Sequence, residues 1–318
     1  MGDRAKASAP ASIGNVGVGF DVLGQALDAA RDSVIAVRED KPGVRLGEVS
    51  GLVSSLPEAP ERNTALAAAK ALLDAVEAPF GVTLSVEKGV PMSAGMGGSA
   101  ASAVAAVVAV NALLEEPLPL PALLPYALAG ERVSSDPPPW DNVAASLLGG
   151  LVLVARERPD SVHRLPAPRG IVAVLLHPPV QVETKAARRL LRPDVPMRVA
   201  VEHSRRMAAF VAGCASGNVE LLRAGLDDLL VEPQRMRLLP ALAEVKRAAL
   251  GAGAIGCSFS GSGPSVFAWA LAHEAGPVER AMAAALEAAG LKATAYRAPA
   301  SSAGARLEPA EAAAKVAA

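Results

Sequence analysis

Apolar positions along the 318 residues change period several times, and each change marks an element. Val34-Ile35-Ala36-Val37 is an extended apolar run, and with the glycine-rich stretch before it the first forty residues read as strand, turn, strand. After Asn63, residues Leu66, Ala69, Leu72, Leu73 and Val76 recur at helical spacing until Pro79 stops the run. Val82 to Val86 alternates Val, Thr, Leu, Ser, Val, which predicts a short strand. An Ala/Val run reaching about Leu114 predicts a long helix. Pro117 to Pro125 breaks the chain, and a helix is expected from Ala122 to Val133. A loop with three consecutive prolines follows, Ser135 to Trp140, then a short helix capped by Asp141 or Asn142 and ended by Gly149-Gly150.

Leu151 to Ala155 and Ile171 to Leu176 read as buried strands, separated by the charged, proline-containing segment Arg156 to Asp160. That segment is the expected boundary between two domains, 1–158 and 159–318. Helices dominate from Glu183 to Leu250, with breaks near Pro193, Gly217, Pro233 and Pro240. Cys257-Ser-Phe-Ser and Ser265 to Trp269 are strands around a glycine turn, and a helix from Pro277 to Ala289 precedes a last strand. The tail after Ser301 is expected to be poorly ordered. Strands and helices mix in both halves, so the fold class is α+β rather than a doubly wound sheet.

Apolar residues make up 51% of the chain and charged residues 20%, which supplies a packed interior and excludes a disordered chain. The formal charge of -1 argues against a broad surface for nucleic acid or anionic membrane. Two cysteines, Cys214 and Cys257, and four scattered histidines give neither a disulfide framework nor zinc-ligand spacing, so a reducing cytoplasm is expected. Met1 to Pro10 lacks a basic region followed by an apolar stretch, and Ala100 to Leu114 is too short to span a bilayer.

Three glycine-rich segments carry candidate chemistry. In Pro91-Met-Ser-Ala-Gly-Met-Gly-Gly-Ser-Ala-Ala, glycines precede a helix whose free N–H groups and positive dipole end would face a phosphate, with the Ser99 hydroxyl within reach of phosphate or magnesium. On local sequence alone, a plain glycine turn packing helix on strand stands on equal terms. No lysine follows a glycine as a Walker motif needs, and protein-kinase signatures are missing. Gly95, Gly97 and Ala100 satisfy a relaxed dinucleotide fingerprint, but Glu115 falls at a helix end rather than a strand tip. Gly251, Gly253 and Gly256 have the strict spacing in the wrong helix-then-strand order. In Ala9 to Asp21, Asn15 and Asp21 frame a glycine turn, suited to a substrate ammonium or hydroxyl, or simply to an Asx turn. Ser260-Gly-Ser-Gly-Pro-Ser joins two apolar strands and by itself reads as an ordinary turn.

In this order, the three segments resemble the motifs of the GHMP kinases. The family's Pro-x-x-x-Gly-Leu-Gly-Ser-Ser-Ala loop is matched by Pro91 to Ala100, with Met96 for Leu and Gly98 for the first Ser. Pro10-Ala-Ser with Asn15 and Gly19-Phe-Asp-Val-Leu-Gly, Asp141-Asn-Val-Ala with Leu148-Gly-Gly, Thr184 with Arg188, and Glu232-Pro-Gln-Arg are similar to the homoserine-kinase branch. The resemblance runs from Ala9 to Trp269 or beyond.

It implies a two-domain GHMP-kinase-like α+β fold, with ATP and an amino acid bound between the domains, and a homodimer. It also implies transfer of the γ-phosphate of MgATP to the hydroxyl of L-homoserine, giving O-phospho-L-homoserine for threonine synthesis. By the same likeness, the loop Pro91, Met92, Ser93, Ala94, Gly95, Met96, Gly97, Gly98, Ser99, Ala100 and Ala101 wraps the phosphates. Ser99 and Glu131 match the magnesium pair, oxygen ligands that suit a hard cation. Asn63 falls near the adenine pocket, and Asn15, Asp21, Asn142, Thr184, Arg188 and Arg235 fall on substrate-contacting positions. Asp21 suits the ammonium of a zwitterion, and the forks of Arg188 and Arg235 suit its carboxylate. Asn142 and Arg235 are expected to polarise the hydroxyl, with no aspartate identified as a base. One departure concerns substrate affinity: Pro139-Trp-Asp-Asn stands where the family has His-x-Asp-Asn. Another is milder, Gly98 in place of a serine. Rival readings are a GHMP kinase for another small alcohol and a catalytically silent sensor of an amino acid or nucleotide.

Overall fold

Two sheets organise the chain, and the computed structural model describes residues 2–309. The first half runs β1 (Arg4–Gly14), β2 (Leu23–Glu39), β3 (Val44–Gly51), α1 (Thr64–Ala75), β4 (Gly81–Lys88), α2 (Gly98–Asn111), α3 (Leu124–Glu131), α4 (Trp140–Leu148), β5 (Leu151–Val154) and β6 (Val162–Leu165). Then come β7 (Ile171–His177), α5 (Thr184–Arg188), α6 (Met197–Ser216), α7 (Val219–Gly225), α8 (Glu232–Arg235) and α9 (Leu242–Gly251). The chain closes with β8 (Gly256–Phe259), β9 (Val266–Leu271), α10 (Ala275–Ala288), β10 (Thr294–Pro299) and β11 (Arg306–Leu307).

The first sheet has the order β11-β1-β2-β4-β3, with β5 added to β2 and β6 to β5. Its pairs are antiparallel except β3 with β4. Pro10 cannot donate to the ladder, and the β1–β2 register shifts between Pro10 and Ala11. The second sheet is antiparallel, β10-β7-β9-β8. Mixed sheets and helices in both halves give the α+β architecture expected from the pattern.

Helix α1 starts where the sequence places it, because the Asn63 side-chain Oδ1 accepts from the N–H groups of Ala65 and Leu66. In α2 every residue from Ala100 to Asn111 is buried, so the helix has no polar face and is the centre of the first core. The opposite face of the first sheet packs on the second. Ile13, Leu23 and Leu27 meet Phe210, Phe267 and Trp269, and the Trp269 indole N–H donates to the buried Gln25 side chain at 2.7 Å. Burying side chains of that size contributes about 1.5–3 kcal/mol each, which holds the two sheets in a fixed relation. Helices α9 and α10 cover the outer face of the second sheet.

Three expectations are corrected. Asp141 and Asn142 lie inside the first turn of α4, which begins after Pro139, whose φ of -74° and ψ of 99° place it just outside the helix. Strands β3 and β6 were missed because neither has a buried residue and neither carries a sustained apolar alternation. After Ser301 the chain returns to the first sheet: Ala305 N–H donates to Leu147, and β11 pairs with β1. The expectation of a poorly ordered tail otherwise falls on 310–318, outside the described residues.

Candidate active site

A cavity of about 450 Å³ opens where the three glycine-rich segments meet. Backbone bonds join them directly. Ser12 N–H donates to the Met96 carbonyl, Ser265 N–H to Ala94 and Gly261 N–H to Gly14. The Ser260 hydroxyl donates to the Gly95 carbonyl at 2.7 Å. Asn15, Asp21 and Ser93 have φ of 58°, 57° and 53°, a region that non-glycine residues seldom adopt, and all three line the cavity.

Gly95 and Gly97, at φ 71° and 63°, are required by this convergence. A Cβ on Gly95 would lie 2.4 Å from the Ser260 carbonyl oxygen, and one on Gly97 would lie 2.1 Å from the Ser12 hydroxyl. The plain-turn reading thus holds in part, because these glycines let protein segments touch. The cradle reading has its own support. Gly97 precedes α2 in a left-handed conformation and no side chain caps the helix, so its positive end opens on the loop.

At the end of α3, Glu131 is buried, and its Oε1 accepts from the hydroxyls of Ser99 at 2.7 Å and Ser134 at 2.9 Å. Its other oxygen, Oε2, has no hydrogen-bond partner. Burial pushes the carboxyl up to about 7 against those two stabilising hydroxyls. An orphaned buried carboxylate oxygen beside two hydroxyl oxygens fits a hard divalent cation.

The opposite wall is charged. Asp21 takes a bidentate pair of bonds from Arg188, both at 2.8 Å. Arg235 is 2% exposed, donates to the Gly261 carbonyl at 3.1 Å, and keeps a buried Nε without a partner. Both guanidinium groups lie over the Phe20 ring, at 5.5 and 5.2 Å from its centroid. Burial, then the neighbouring Arg188, bring Arg235 down to about 10, so it stays protonated at neutral pH. Asp228 supports this arginine by accepting N–H bonds from Leu230, Val231 and Glu232 at the start of α8. Lys246 pairs with Glu232 at 2.7 Å.

Of the expected site residues, Asn15, Asp21, Asn63, Met92 to Ser99, Glu131, Asn142, Thr184, Arg188 and Arg235 line the cavity. Pro91, Ala100 and Ala101 do not, and the two alanines point their side chains into the core. Asn63 lines the wall, but its amide caps α1 and donates to the Pro57 carbonyl. Asn15 is similarly engaged: its Oδ1 accepts from Asp21 N–H, the Asx turn, and its Nδ2 donates to Gly261. Asn142 accepts from the Ser12 hydroxyl at 2.9 Å, and Thr184 sits 3.5 Å from Ser262.

Among the lining residues that had escaped a role are Phe20, Lys88, Ser134 and Asp141. Asp141 is fully buried beside Asn142, with its Oδ2 accepting from Asn15 N–H at 2.8 Å. Burial first, then the Asp21 charge, raise its carboxyl to about 7. Phe20 precedes Asp21 in the quoted motif, whereas nothing local to Lys88 or Ser134 announces either.

Two family models match the chain: the one described as GHMP kinases N terminal domain matches residues 63–150, and GHMP kinases C terminal matches 207–304. The homoserine kinases of Xylella fastidiosa (strain 9a5c) and Xanthomonas campestris pv. campestris (strain B100) are each 45% identical over 308 residues, which is 96% of this chain and 94% of theirs. The crystal structure of homoserine kinase from Cytophaga hutchinsonii superposes with a TM-score of 0.92 at 37% identity, covering 97% of this chain and 98% of that one.

Proposed function

The chain belongs to the GHMP kinases and, within them, to the homoserine kinases, and from that premise we propose that it phosphorylates the side-chain hydroxyl of L-homoserine with ATP. The products are ADP and O-phospho-L-homoserine, an intermediate for threonine synthesis. One observation carries the reading: an uncapped helix start with Ser99 and Glu131 shares a cavity with Asp21, Arg188 and Arg235. Phosphate-binding and amino-acid-binding chemistry therefore face each other.

The division of work follows the charges. Residues Met92 to Ser99 would surround the triphosphate with backbone N–H groups and the α2 dipole. Ser99 and Glu131, with Ser134 beside them, would hold magnesium, which when bound neutralises phosphate charge. Asp21 takes the substrate ammonium and Arg235, which lines the cavity, the carboxylate. Arg188 is bonded to Asp21 through both terminal nitrogens, so it anchors that carboxylate while adding positive potential. Asn142 orients the hydroxyl. The hydroxyl oxygen bonds to the γ-phosphorus, the bond from that phosphorus to the bridging oxygen breaks, and the hydroxyl proton passes to an oxygen of the phosphoryl group being transferred. A loose transition state asks mainly for alignment and charge neutralisation.

On the same footing we divide the chain into 1–158 and 159–318, the second part contributing β6 and β11 to the first sheet. Among the described residues no helix is long and apolar enough to cross a membrane. A cytoplasmic homodimer is the expected form, and light scattering at working concentration tests the stoichiometry.

The deciding experiment is coupled ADP release with homoserine, shikimate, mevalonate or no acceptor. Release that depends on homoserine alone supports the proposal. Preference for another alcohol assigns a different GHMP substrate, and nucleotide binding without turnover assigns a sensor.

A further inference from the structure

The phosphate loop lies between the end of β4 and the start of α2, and one buried carboxylate is tied to both. Asp32 of β2 is fully buried. Its Oδ1 accepts from the backbone N–H groups of Gly89 at 3.0 Å and Val90 at 2.9 Å, the last residues before the loop. Its Oδ2 accepts from the Ser102 hydroxyl at 2.6 Å, in the first turn of α2, and from the Lys88 ammonium. Lys88 also donates to the Gly98 carbonyl at 2.8 Å and to the Ser102 oxygen at 2.9 Å. Gly89 makes this approach possible, because a Cβ there would lie 2.1 Å from the Arg31 carbonyl oxygen.

An ammonium has three protons, and Asp32, Gly98 and Ser102 take all three. Lys88 lines the cavity beneath the loop yet is only 4% exposed. A lysine that grips phosphate needs a free proton, and this one would have to break a bond to supply it. An ion pair buried this deeply is weak as a source of stability compared with apolar side chains of similar volume, and it is suited to fixing geometry. We propose that Lys88, Asp32 and Ser102 are positioning residues that set the distance between the two ends of the phosphate loop and so aim the start of α2 at the nucleotide. Lys88 acts on the phosphates through the loop and through its charge, not by contact.

This inference rests on the nucleotide reading above, and direct binding separates the two. The measurements are calorimetric titration with MgADP and the Michaelis constants for ATP and homoserine, with thermal melts as controls. Wild-type protein that neither binds MgADP nor turns over would overturn the nucleotide reading itself. With binding wild-type protein, Ser102→Ala removes one hydroxyl and leaves the lysine charge in place. It is expected to weaken MgADP by about three- to tenfold, roughly one hydrogen bond, with the homoserine constant held within about twofold. Lys88→Met is expected to weaken MgADP more than Ser102→Ala does, by about tenfold or more, because it removes a buried charge and three hydrogen bonds. Nucleotide affinity unchanged in folded Ser102→Ala overturns the proposal. If Lys88→Met alone then loses binding, the lysine is a contact residue. Equal losses for both substrates would reduce the cluster to general support of the fold. Should Lys88→Met not fold, Ser102→Ala decides by itself.

Discussion

Replacing Arg235 by lysine keeps a positive charge and still should damage the enzyme, for reasons that can be put in numbers. The guanidinium donates to Gly261 at 3.1 Å, lies over Phe20 and belongs to a side chain that lines the cavity. A charged hydrogen bond contributes about 1.5–3 kcal/mol and a stacked cation about 0.5–1 kcal/mol. Losing both predicts a fall in kcat/KM for homoserine of roughly thirty- to a thousandfold. A second consequence is specific to this site. The surroundings bring the arginine from its ordinary value down to about 10. The same burial and the same Arg188 charge acting on a lysine, which starts lower, would bring it nearer to neutrality than the arginine. The Arg235→Lys variant should therefore lose further activity as pH rises above neutrality and its ammonium deprotonates, at lower pH than the wild-type arginine would. The assay is coupled ADP release over homoserine concentration at several pH values, with a melt to confirm folding. A variant within about threefold of wild type at pH 7, or with a parallel pH profile, would refute the reasoning.

Ser99→Ala should lower turnover most at limiting magnesium while the melting temperature holds, and unchanged kinetics there would remove Ser99 from the cation site. Gly95→Ala should lose most nucleotide binding or fold poorly, because its Cβ meets carbonyl oxygens at 2.4 and 2.6 Å, and a circular dichroism melt with MgADP titration distinguishes the two. Asp141 has a native pKa raised to about 7 from 3.8, so its contribution to stability is present below the unfolded value and lost as pH rises toward 7. Asp141→Asn should thus gain on wild type between pH 5 and 8, by up to about 4 kcal/mol, and a stability difference independent of pH would show that Asp141 ionises freely. Pro139→His should lower the homoserine Michaelis constant several-fold with turnover little changed, since Pro139 lines the cavity where relatives of the motif carry a donor, and no change would place that loop outside substrate reach.

Local grammar made much of the fold legible. Asn63 before an apolar run at helical spacing marks the start of α1, and the largely Ala/Val composition of α2 marks it as a long helix, which the structure buries almost throughout. The glycine loop followed by a helix marks a candidate anion site, because backbone freedom and helix dipoles act over a few residues. β3, β6 and β11 stayed hidden because exposed strands without an apolar pattern exist only through the neighbour they pair with. The placement of Asp141 depended on where Pro139 ends the loop and α4 begins, a detail of backbone angles that composition does not encode.

What the sequence determined by itself were the residue types and local conformations: a flexible loop, an uncapped helix, a carboxylate after a phenylalanine, two arginines far apart in the chain. Tertiary structure decided how their charges are used. Asp21 and Arg188 are 167 residues apart, and only folding reveals that they bind each other. Phe20 becomes a platform for two guanidinium groups only because α5 and α8 both end above it. Lys88 and Asp32 form an ion pair behind the phosphate loop because β2 and β4 are adjacent strands. Electrostatic effects depend on distance and burial in three dimensions, and neither quantity can be read along a chain.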